Sequence, residues 1–304
     1  VAPNSDNWGV GVNRAIADNE HFYGFGERNG PLDKRGQWMT FWNSDVPGYG
    51  PTTDPLYQSV PFFVGMRGTT AYGLLTDNSY RMVMDMGASD AGTYTITAGG
   101  GEIDQTFIAG PSIATVVERY TTLTGKMPMP PRWTLGYHQS RHGYFPDTQV
   151  LDVAQGLRDR NFPVDAMWLD IDYMDEYRIF TWGPEFSKDP AAMISQLRED
   201  GIRTVVIIDP GLKVDEQWDV YTEGLANGYY VTNPDGTPFV GIVWPGDSVY
   251  PDFTNPEARS WWGDLFPAVT DLGVEGIWID MNEPANFDSN NAWTVPDNVE
   301  MAGD

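Results

Sequence analysis

From residue 131 onward, the sequence alternates near-continuous apolar strands with segments that carry helix-start signals. The predicted strands occupy residues 135–139, 166–171, 204–208 and 276–279. Two helices are predicted to begin after Asp189 and Asn255, each a capping residue followed by proline. Asp147 is predicted to cap a third helix. Apolar strands between helices form parallel sheets, and a full (β/α)8 barrel has eight such units, so we expect an incomplete TIM-type barrel of about four units.

Residues 1–125 have a different pattern, in which short apolar runs are separated by glycine, aspartate and asparagine. These runs lie at residues 62–66, 72–75, 82–84 and 93–97. Their spacing predicts an antiparallel β-sandwich, and residues 111–124 carry apolar side chains at helical spacing. Prolines at 128, 130 and 131 mark the predicted junction. We therefore expect a sandwich domain over 1–125, which is itself partial, and the first half of a barrel over 126–304.

The composition excludes several classes of partner. A formal net charge of -25 argues against nucleic acid, because phosphates would be repelled, and against an anionic membrane surface. A neutral substrate suits this charge, although solubility or a salty or acidic habitat explains the charge better than a functional use does. There are no cysteines, which excludes disulfides and thiolate chemistry. No apolar run approaches the roughly 18 residues of a membrane span, residues 1–4 lack signal-peptide features, and neither end resembles a natural terminus.

Three of the four predicted strands end on a carboxylate. Asp170 is the penultimate residue of the strand predicted at 166–171, and Asp209 and Asp280 directly follow their strands. Because the carboxyl ends of parallel strands meet at one edge of a sheet, these side chains are expected to converge on a cleft, where barrel enzymes carry their chemistry. The alternative is a structural role, in which the same carboxylates cap nearby helices.

The segment 276–284 carries the most specific chemistry. Hydrolysis of a glycosidic bond uses two carboxyl groups, one that stabilises or captures the oxocarbenium-like carbon and one that protonates the leaving oxygen. Asp280 is placed for the first role, whereas Glu283 lies beyond the strand end, where the chain turns away. Trp278 and Met281 offer flat apolar surfaces of the kind that packs against a sugar ring. The segment therefore predicts a barrel that cleaves carbohydrate.

A metal site is the rival interpretation of the four acidic residues within 170–176. Calcium loops need a glycine-centred turn and ligands at alternate positions, and apolar residues interrupt this segment. The three histidines do not have the spacing of zinc ligands. We therefore expect no metal ion and no cofactor.

Two further segments carry aromatic residues whose role the sequence leaves open. Residues 243–246 lie in a stretch that is predicted to be long and irregular, and Trp244 is either a platform for a sugar or a plug that holds the loop down. Residues 41–45, which end at Asp45, form either a turn with aromatic side chains or a loop that reaches a neighbouring cleft.

Together these segments resemble glycoside hydrolase family 31, the retaining α-glucosidase family. The run Trp278-Ile279-Asp280-Met281-Asn282-Glu283-Pro284 closely matches the nucleophile signature of that family. Segments 170–174, 207–210 and 243–246 follow the family's order, as do segments 23–27 and 42–45 in the leading domain. The resemblance covers nearly the whole chain.

The resemblance implies a role for each matching residue. Asp280 resembles the nucleophile that forms a glycosyl-enzyme ester, and Asp170 matches a carboxylate that hydrogen-bonds hydroxyls of the glucose ring. Asp45 resembles a residue that borders the next sugar position, whereas Glu283 and Asp209 resemble supporting residues rather than reactants. The apolar walls of the sugar pocket match Ile171, Ile207, Trp244, Trp278, Met281 and Phe287.

The resemblance also implies an activity. It predicts an exo-acting, retaining α-glucosidase that acts on α-glucosides and malto-oligosaccharides; small side chains at Ile171 and Ile207 favour glucose over xylose. The family takes its acid/base aspartate and an arginine and histidine of the pocket from later strands, so this chain alone is expected to be inactive. The alternatives are an α-xylosidase, a transglycosylase or an α-glucan lyase of the same family, or a non-catalytic sugar-binding relic. No oligomeric state is predicted.

Overall fold

The computed structural model describes residues 9–288 and 294–303, so the segment 1–4 considered above lies outside the described part. The chain divides into two compact units, Val1–Pro128 and Met129–Asp304. The predicted domain boundary at residues 125 and 126 stays a prediction. Within the described ranges, no helix combines the length and the apolar character that crossing a membrane requires.

The first unit contains two antiparallel sheets of four strands each among its described residues. One sheet has the order β1-β7-β6-β3, and the other has the order β2-β4-β5-β8. These strands are β1 (Val10–Ala15), β2 (Glu20–Gly24), β3 (Trp38–Phe41), β4 (Phe62–Arg67), β5 (Thr70–Asp77), β6 (Met82–Asp85), β7 (Thr93–Ala98) and β8 (Asp104–Ala109). Helix α1 (Ile113–Thr124) follows, and the side chain of Ser112 caps its start. The predicted sandwich is confirmed, and so is the helix after it.

Alternation along the strands explains why the two sheets pack together. In β7, Tyr94, Ile96 and Ala98 are buried, while the threonines between them are partly exposed. The buried side chains join a core that includes Phe22 and Phe63, whose rings meet edge to face with centroids 5.6 Å apart. Burial of one such phenylalanine contributes about 1.5–3 kcal/mol, so a few aromatic residues hold the sheets together.

The second unit alternates strands and helices. Its parallel sheet has the order β15-β11-β10-β9, and a small antiparallel sheet has the order β12-β14-β13. The strands are β9 (His138–Gln139), β10 (Ala166–Leu169), β11 (Arg203–Ile208), β12 (Leu212–Lys213), β13 (Gly241–Val243), β14 (Gly246–Val249) and β15 (Gly276–Ile279). The helices are α2 (Asp147–Asp159), α3 (Pro190–Glu199), α4 (Asp219–Asn227), α5 (Pro256–Leu265) and α6 (Pro267–Thr270). Four parallel strands with intervening helices confirm the predicted incomplete barrel.

Two strand boundaries differ from the prediction. The first predicted strand, 135–139, is paired only at His138–Gln139, because Arg132–Leu135 forms a 3-10 helix directly after the prolines. The second, 166–171, ends at Leu169, since Asp170 caps another 3-10 helix, Ile171–Tyr173. Both changes shorten the parallel sheet and leave its centre in place.

The helix starts follow their capping residues in two of three cases. Asp189 accepts a hydrogen bond from the Ala192 amide, and Asn255 accepts one from the Glu257 amide. The prediction for Asp147 is wrong, because Asp147 is itself the first residue of α2 and makes no capping hydrogen bond.

The stretch around Trp244 is more regular than predicted. It contains α4 and a hairpin in which β13 and β14 pair antiparallel, with Val243 opposite Gly246. Strand β12 pairs with β14 and ties the hairpin to the chain that leaves the parallel sheet after β11. The expectation of a long irregular loop is therefore wrong, and Trp244 lies at the tip of a supported hairpin.

Candidate active site

The parallel sheet places Asp209 and Asp280 side by side. Strands β11 and β15 pair with Ile208 opposite Ile279 as their last partners, so the two aspartates come next at the same level. Side chains in register on neighbouring strands point to the same face, and such strands lie about 4.8 Å apart. Two carboxyl groups therefore share one end of the sheet.

Asp280 lies where β15 ends in a sharp turn. The next residue, Met281, has a φ of 59°, a left-handed conformation that is uncommon for a residue with a side chain. Burial raises the pKa of Asp280; a hydrogen bond from the Met281 amide opposes this rise, and the charge on Asp170 adds to it. The Asn282 side-chain amide donates to the Asp280 carbonyl at 2.6 Å and supports the turn.

Asp170 has both a structural role and an electrostatic effect on its neighbours. Its Oδ1 accepts a hydrogen bond of 2.7 Å from the Ile171 amide, which caps the short 3-10 helix. Its charge also raises the pKa of Asp280 and of Asp209. The structural alternative thus accounts for one contact of Asp170, but it does not account for the grouping of three carboxyl groups.

Asp209 is more buried than its two neighbours. It is only 6% exposed, and its Oδ1 has no hydrogen-bond partner. Burial first, and then the charges on Asp280, Asp170 and Glu283, raise the pKa of Asp209 to about 7. At neutral pH this carboxyl group therefore holds a proton for a substantial part of the time.

A narrow crevice lies at this end of the sheet, and Asp209 is the one of the three carboxyl groups that lines it. Four of the predicted residues line it, namely Ile171, Asp209, Trp244 and Met281. Seven others complete the lining: Met174, Tyr177, Ile179, Gly211, Val243, Pro245 and Tyr250. The crevice thus combines an apolar wall with a carboxyl group at one side.

Hydrogen bonds join the hairpin to the chain that follows Asp280. The Phe287 amide donates to the Ile242 carbonyl at 2.7 Å, and the Ile242 amide donates to Asn286 Oδ1 at 3.0 Å. Trp244 is 49% exposed, and its ring meets Phe287 edge to face with centroids 5.1 Å apart. This contact leaves an aromatic surface available beside the crevice.

Three predicted wall residues are not part of the crevice lining in the described ranges, namely Phe287, which contacts Trp244, and Trp278 and Ile207. Trp278 packs against Trp168 with ring centroids 5.7 Å apart, and Trp168 donates its indole N–H to His138 Nδ1 at 3.1 Å. Ile207 is 1% exposed, and its carbonyl accepts a hydrogen bond from the Tyr173 hydroxyl. Contact of Trp278 and Ile207 with a sugar stays a prediction.

The remaining predicted residues are Glu283 and Asp45. Glu283 is partly buried in the turn after Asp280, and its charge acts on Asp209. Asp45 is partly buried in the loop that follows β3, within the first unit. Its place beside the next sugar position stays a prediction.

Sequence reasoning missed Tyr177 and Tyr250, both of which line the crevice. Tyr177 has a φ of 62°, and its hydroxyl donates to Asp172 at 3.3 Å. Tyr250 donates to the Ala285 carbonyl at 2.9 Å. No motif contains either tyrosine, so the sequence does not indicate that they line the crevice. In the part of the chain that the structure describes, no group of three or more acidic residues or histidines is arranged to hold a metal ion.

A parallel barrel sheet whose strand ends gather carboxyl groups beside an aromatic-walled crevice is typical of barrel enzymes. The protein-family model described as "Glycosyl hydrolases family 31 TIM-barrel domain" matches residues 127–303. A second family model, described as "Glycosyl hydrolase 31 N-terminal galactose mutarotase-like domain", matches residues 3–85. The chain therefore belongs to glycosyl hydrolase family 31.

Sequence and structural similarity to individual proteins supports this assignment. The chain is 46% identical to "Alpha-glucosidase 2" of Bacillus thermoamyloliquefaciens over 91% of its own length and 35% of that protein. It is 34% identical to the "Alpha-glucosidase" of Saccharolobus solfataricus over 91% of its length and 40% of that protein. Among solved structures, the Flavobacterium johnsoniae GH31 dextranase complexed with glucose gives a TM-score of 0.90 at 32% identity, covering 98% of this chain and 36% of the other. The chain thus spans 35–40% of the length of the two α-glucosidases.

Proposed function

We propose that the complete protein carrying this chain is an exo-acting, retaining α-glucosidase. It hydrolyses terminal, non-reducing α-linked glucose through a glycosyl ester on Asp280. The observation that carries the proposal is the placement of Asp280 at a parallel strand end, beside two further carboxyl groups and directly before Met281, which lines an apolar crevice. Similarity to the two α-glucosidases supports the choice of sugar and of reaction.

The proposed reaction has two steps. In the first, Oδ of Asp280 attacks the anomeric carbon, the glycosidic C–O bond breaks, and an acid group protonates the leaving oxygen. In the second, water attacks the same carbon, loses its proton to the acid group in its base form, and releases Asp280. Two inversions at one carbon give net retention. Asp280 must be ionised to attack, so its raised pKa shifts the loss of activity on acidification toward higher pH.

The other residues are proposed to bind and orient the sugar. Asp170 is partly exposed and offers a second carboxylate oxygen to sugar hydroxyls while Oδ1 caps the 3-10 helix. Ile171, Met281 and Trp244 supply the apolar surface on which the ring packs. Phe287 supports the Trp244 ring from its edge.

We further propose that these 304 residues alone do not turn over substrate. The resemblance assigns the acid/base aspartate to later strands, which have no counterpart among the motifs of this sequence. General acid catalysis typically contributes about 10²–10⁴-fold, so its loss leaves little activity.

The test is Asp280→Asn in the complete protein. Replacing the nucleophile with a neutral amide is expected to lower hydrolysis of an aryl α-glucoside by at least about a thousandfold, while sugar binding persists. Asp247→Asn, an exposed carboxylate on the same hairpin as Trp244, serves as the matched control and should leave the rate unchanged. Undiminished hydrolysis by the Asp280→Asn protein would remove Asp280 as the nucleophile.

The choice of glucose over xylose is tested separately. Comparison of an aryl α-glucoside with the matching α-xyloside is expected to show faster cleavage of the glucoside. Faster cleavage of the xyloside would contradict the sugar assignment, an unsaturated anhydro sugar would indicate a lyase, and longer oligosaccharides would indicate a transglycosylase.

Similarity to a dextranase favours one alternative within α-glucan hydrolysis. If the complete protein acts on dextran rather than on maltose-type chains, it should release products from dextran faster than from maltotriose. The nucleophile and its neighbours would be the same in both cases, so this comparison concerns the substrate alone.

A further inference from the structure

The surroundings of Asp209 differ from those of a carboxylate that is held as an anion. In the described residues, each charged group that acts on Asp209 is itself an acid: Asp280 from β15, Asp170 from β10 and Glu283 from the turn. The Tyr173 hydroxyl faces the same region from the 3-10 helix. Among the residues that the structure describes, no cation offsets the burial of this group, and Oδ1 accepts no hydrogen bond.

The cost of an ionised Asp209 follows from its burial. The side chain is 6% exposed, and Oδ1 has no partner. An unpaired carboxylate in such a place loses its hydration without compensation, whereas a protonated carboxyl group is neutral and becomes a hydrogen-bond donor. Two carboxyl groups that share a site cannot both ionise easily, so one of them retains a proton.

The hydrogen-bond donors decide which of the two carboxyl groups retains the proton. Asp209 and Asp280 follow the last paired residues of β11 and β15 and therefore lie at the same level. Asp280 receives the Met281 amide, which stabilises its anion, whereas Asp209 Oδ1 receives no donor. The proton is thus placed on Asp209 and the charge on Asp280.

We propose that Asp209 is a proton-bearing positioning residue, whose neutral O–H donates into the crevice and leaves Asp280 as the ionised member of the pair. The role in positioning rests on the proposed function, because it assumes that Asp280 reacts with a sugar bound in the crevice. The protonation itself does not depend on catalysis. Burial together with the three neighbouring acids raises the pKa of Asp209 to about 7, in agreement with this assignment.

Protonation can be measured on this chain by infrared difference spectroscopy between about pH 5 and about pH 9. A protonated carboxyl group has a C=O stretch distinct from the bands of carboxylates. We expect such a band at the acidic end, its loss with a midpoint near neutrality, and its absence in Asp209→Asn. Asp215→Asn is the matched control: Arg178 binds this carboxylate and the Gln217 amide donates to it, which lowers the pKa of Asp215, so the band should remain.

A second variant keeps the test independent of whether Asp209→Asn folds. Asp280→Asn removes a neighbouring charge without touching Asp209, so it should move the midpoint of the band to lower pH. A chain that shows no protonated-carboxyl band near neutrality, or a midpoint that Asp280→Asn leaves in place, would overturn the assignment of the proton to Asp209.

The positioning role has its own readout in the complete protein. Asp209→Asn keeps a neutral donor of similar shape, so it should retain most of kcat/KM near neutrality and extend activity to higher pH than the unmodified protein. A pH profile whose alkaline side is unchanged by Asp209→Asn would overturn the positioning role. Failure of the proposed function would be seen differently, as undiminished hydrolysis by the Asp280→Asn protein.

Discussion

Asp209 and Asp280 occupy equivalent positions at the ends of adjacent strands, but their surroundings give them different chemistry. Asp280 is partly exposed and accepts an amide hydrogen bond, while Asp209 is buried with an oxygen that has no partner. A nucleophile must be ionised, and an anion nearby makes ionisation harder. A protonated Asp209 removes that penalty from Asp280, so the difference in burial between two identical side chains has a chemical consequence.

Trp244 provides a residue-scale prediction. Trp244→Ala removes the exposed aromatic surface beside the crevice, and an aromatic contact is worth about 1 kcal/mol beyond its buried area. We therefore expect KM for an aryl α-glucoside to rise about fivefold or more, with a smaller change in kcat. Steady-state kinetics of the complete protein measure both quantities. Phe253→Ala removes another exposed aromatic side chain, outside the crevice lining, and is the control; an equal effect of the two changes would contradict the assigned role.

At the scale of secondary-structure elements, local sequence features predicted the positions of the parallel strands. They did not predict the helix and the hairpin that connect β11 to α5. The carboxylates at 170, 209 and 280 mark strand ends, and Gly201 and Gly273 adopt the positive φ expected just after a helix. Helix α4 was missed because it has no side-chain cap, and its start at Trp218 carries no capping residue. The hairpin was missed because its strands have three and four residues, and Trp244-Pro245 is not a typical two-residue hairpin turn.

The capping residues give a prediction at the same scale. Asp189→Ala removes the hydrogen bond to the Ala192 amide, and it should lower the free energy of unfolding by about 1 kcal/mol. Asp147→Ala removes no capping bond, so its effect should be about 0.5 kcal/mol or less, through the helix dipole alone. Urea unfolding monitored by circular dichroism measures both values. Equal losses would indicate that Asp147 caps α2 after all.

At the scale of the whole molecule, features that follow from a local sequence pattern could be predicted, whereas features that depend on contacts between distant residues could not. The change from short β runs to alternating strands and helices predicts a sandwich followed by a partial barrel, because periodicity is a local property. The composition of the crevice depends on contacts between residues far apart, such as the Tyr250 hydroxyl with the Ala285 carbonyl, and these leave no pattern in the sequence. Hence the strand-end carboxylates were found, while the tyrosines of the crevice were not.

The proposed boundary at residues 125 and 126 gives a prediction for the whole chain. Lys126 is exposed and lies between the end of α1 and the 3-10 helix that begins at Arg132. Exposed segments without regular structure are preferred sites of proteolysis. Limited trypsin digestion should therefore cut first after Lys126, as mass spectrometry of the fragments would show, and Lys126→Gln should slow this first cut. An initial cut after Lys188, an exposed lysine within the second unit, would contradict the boundary.

The most direct measurement of the central claim is to trap the covalent intermediate. A fluorinated α-glucosyl fluoride reacts with a retaining α-glucosidase but slows release of the sugar, so the complete protein should accumulate one glycosyl group per chain. Peptide mass spectrometry is expected to place that group on Asp280, and the Asp280→Asn protein should remain unlabelled. A label on another carboxylate, or turnover of the natural substrate with inversion at the anomeric carbon, would contradict the account.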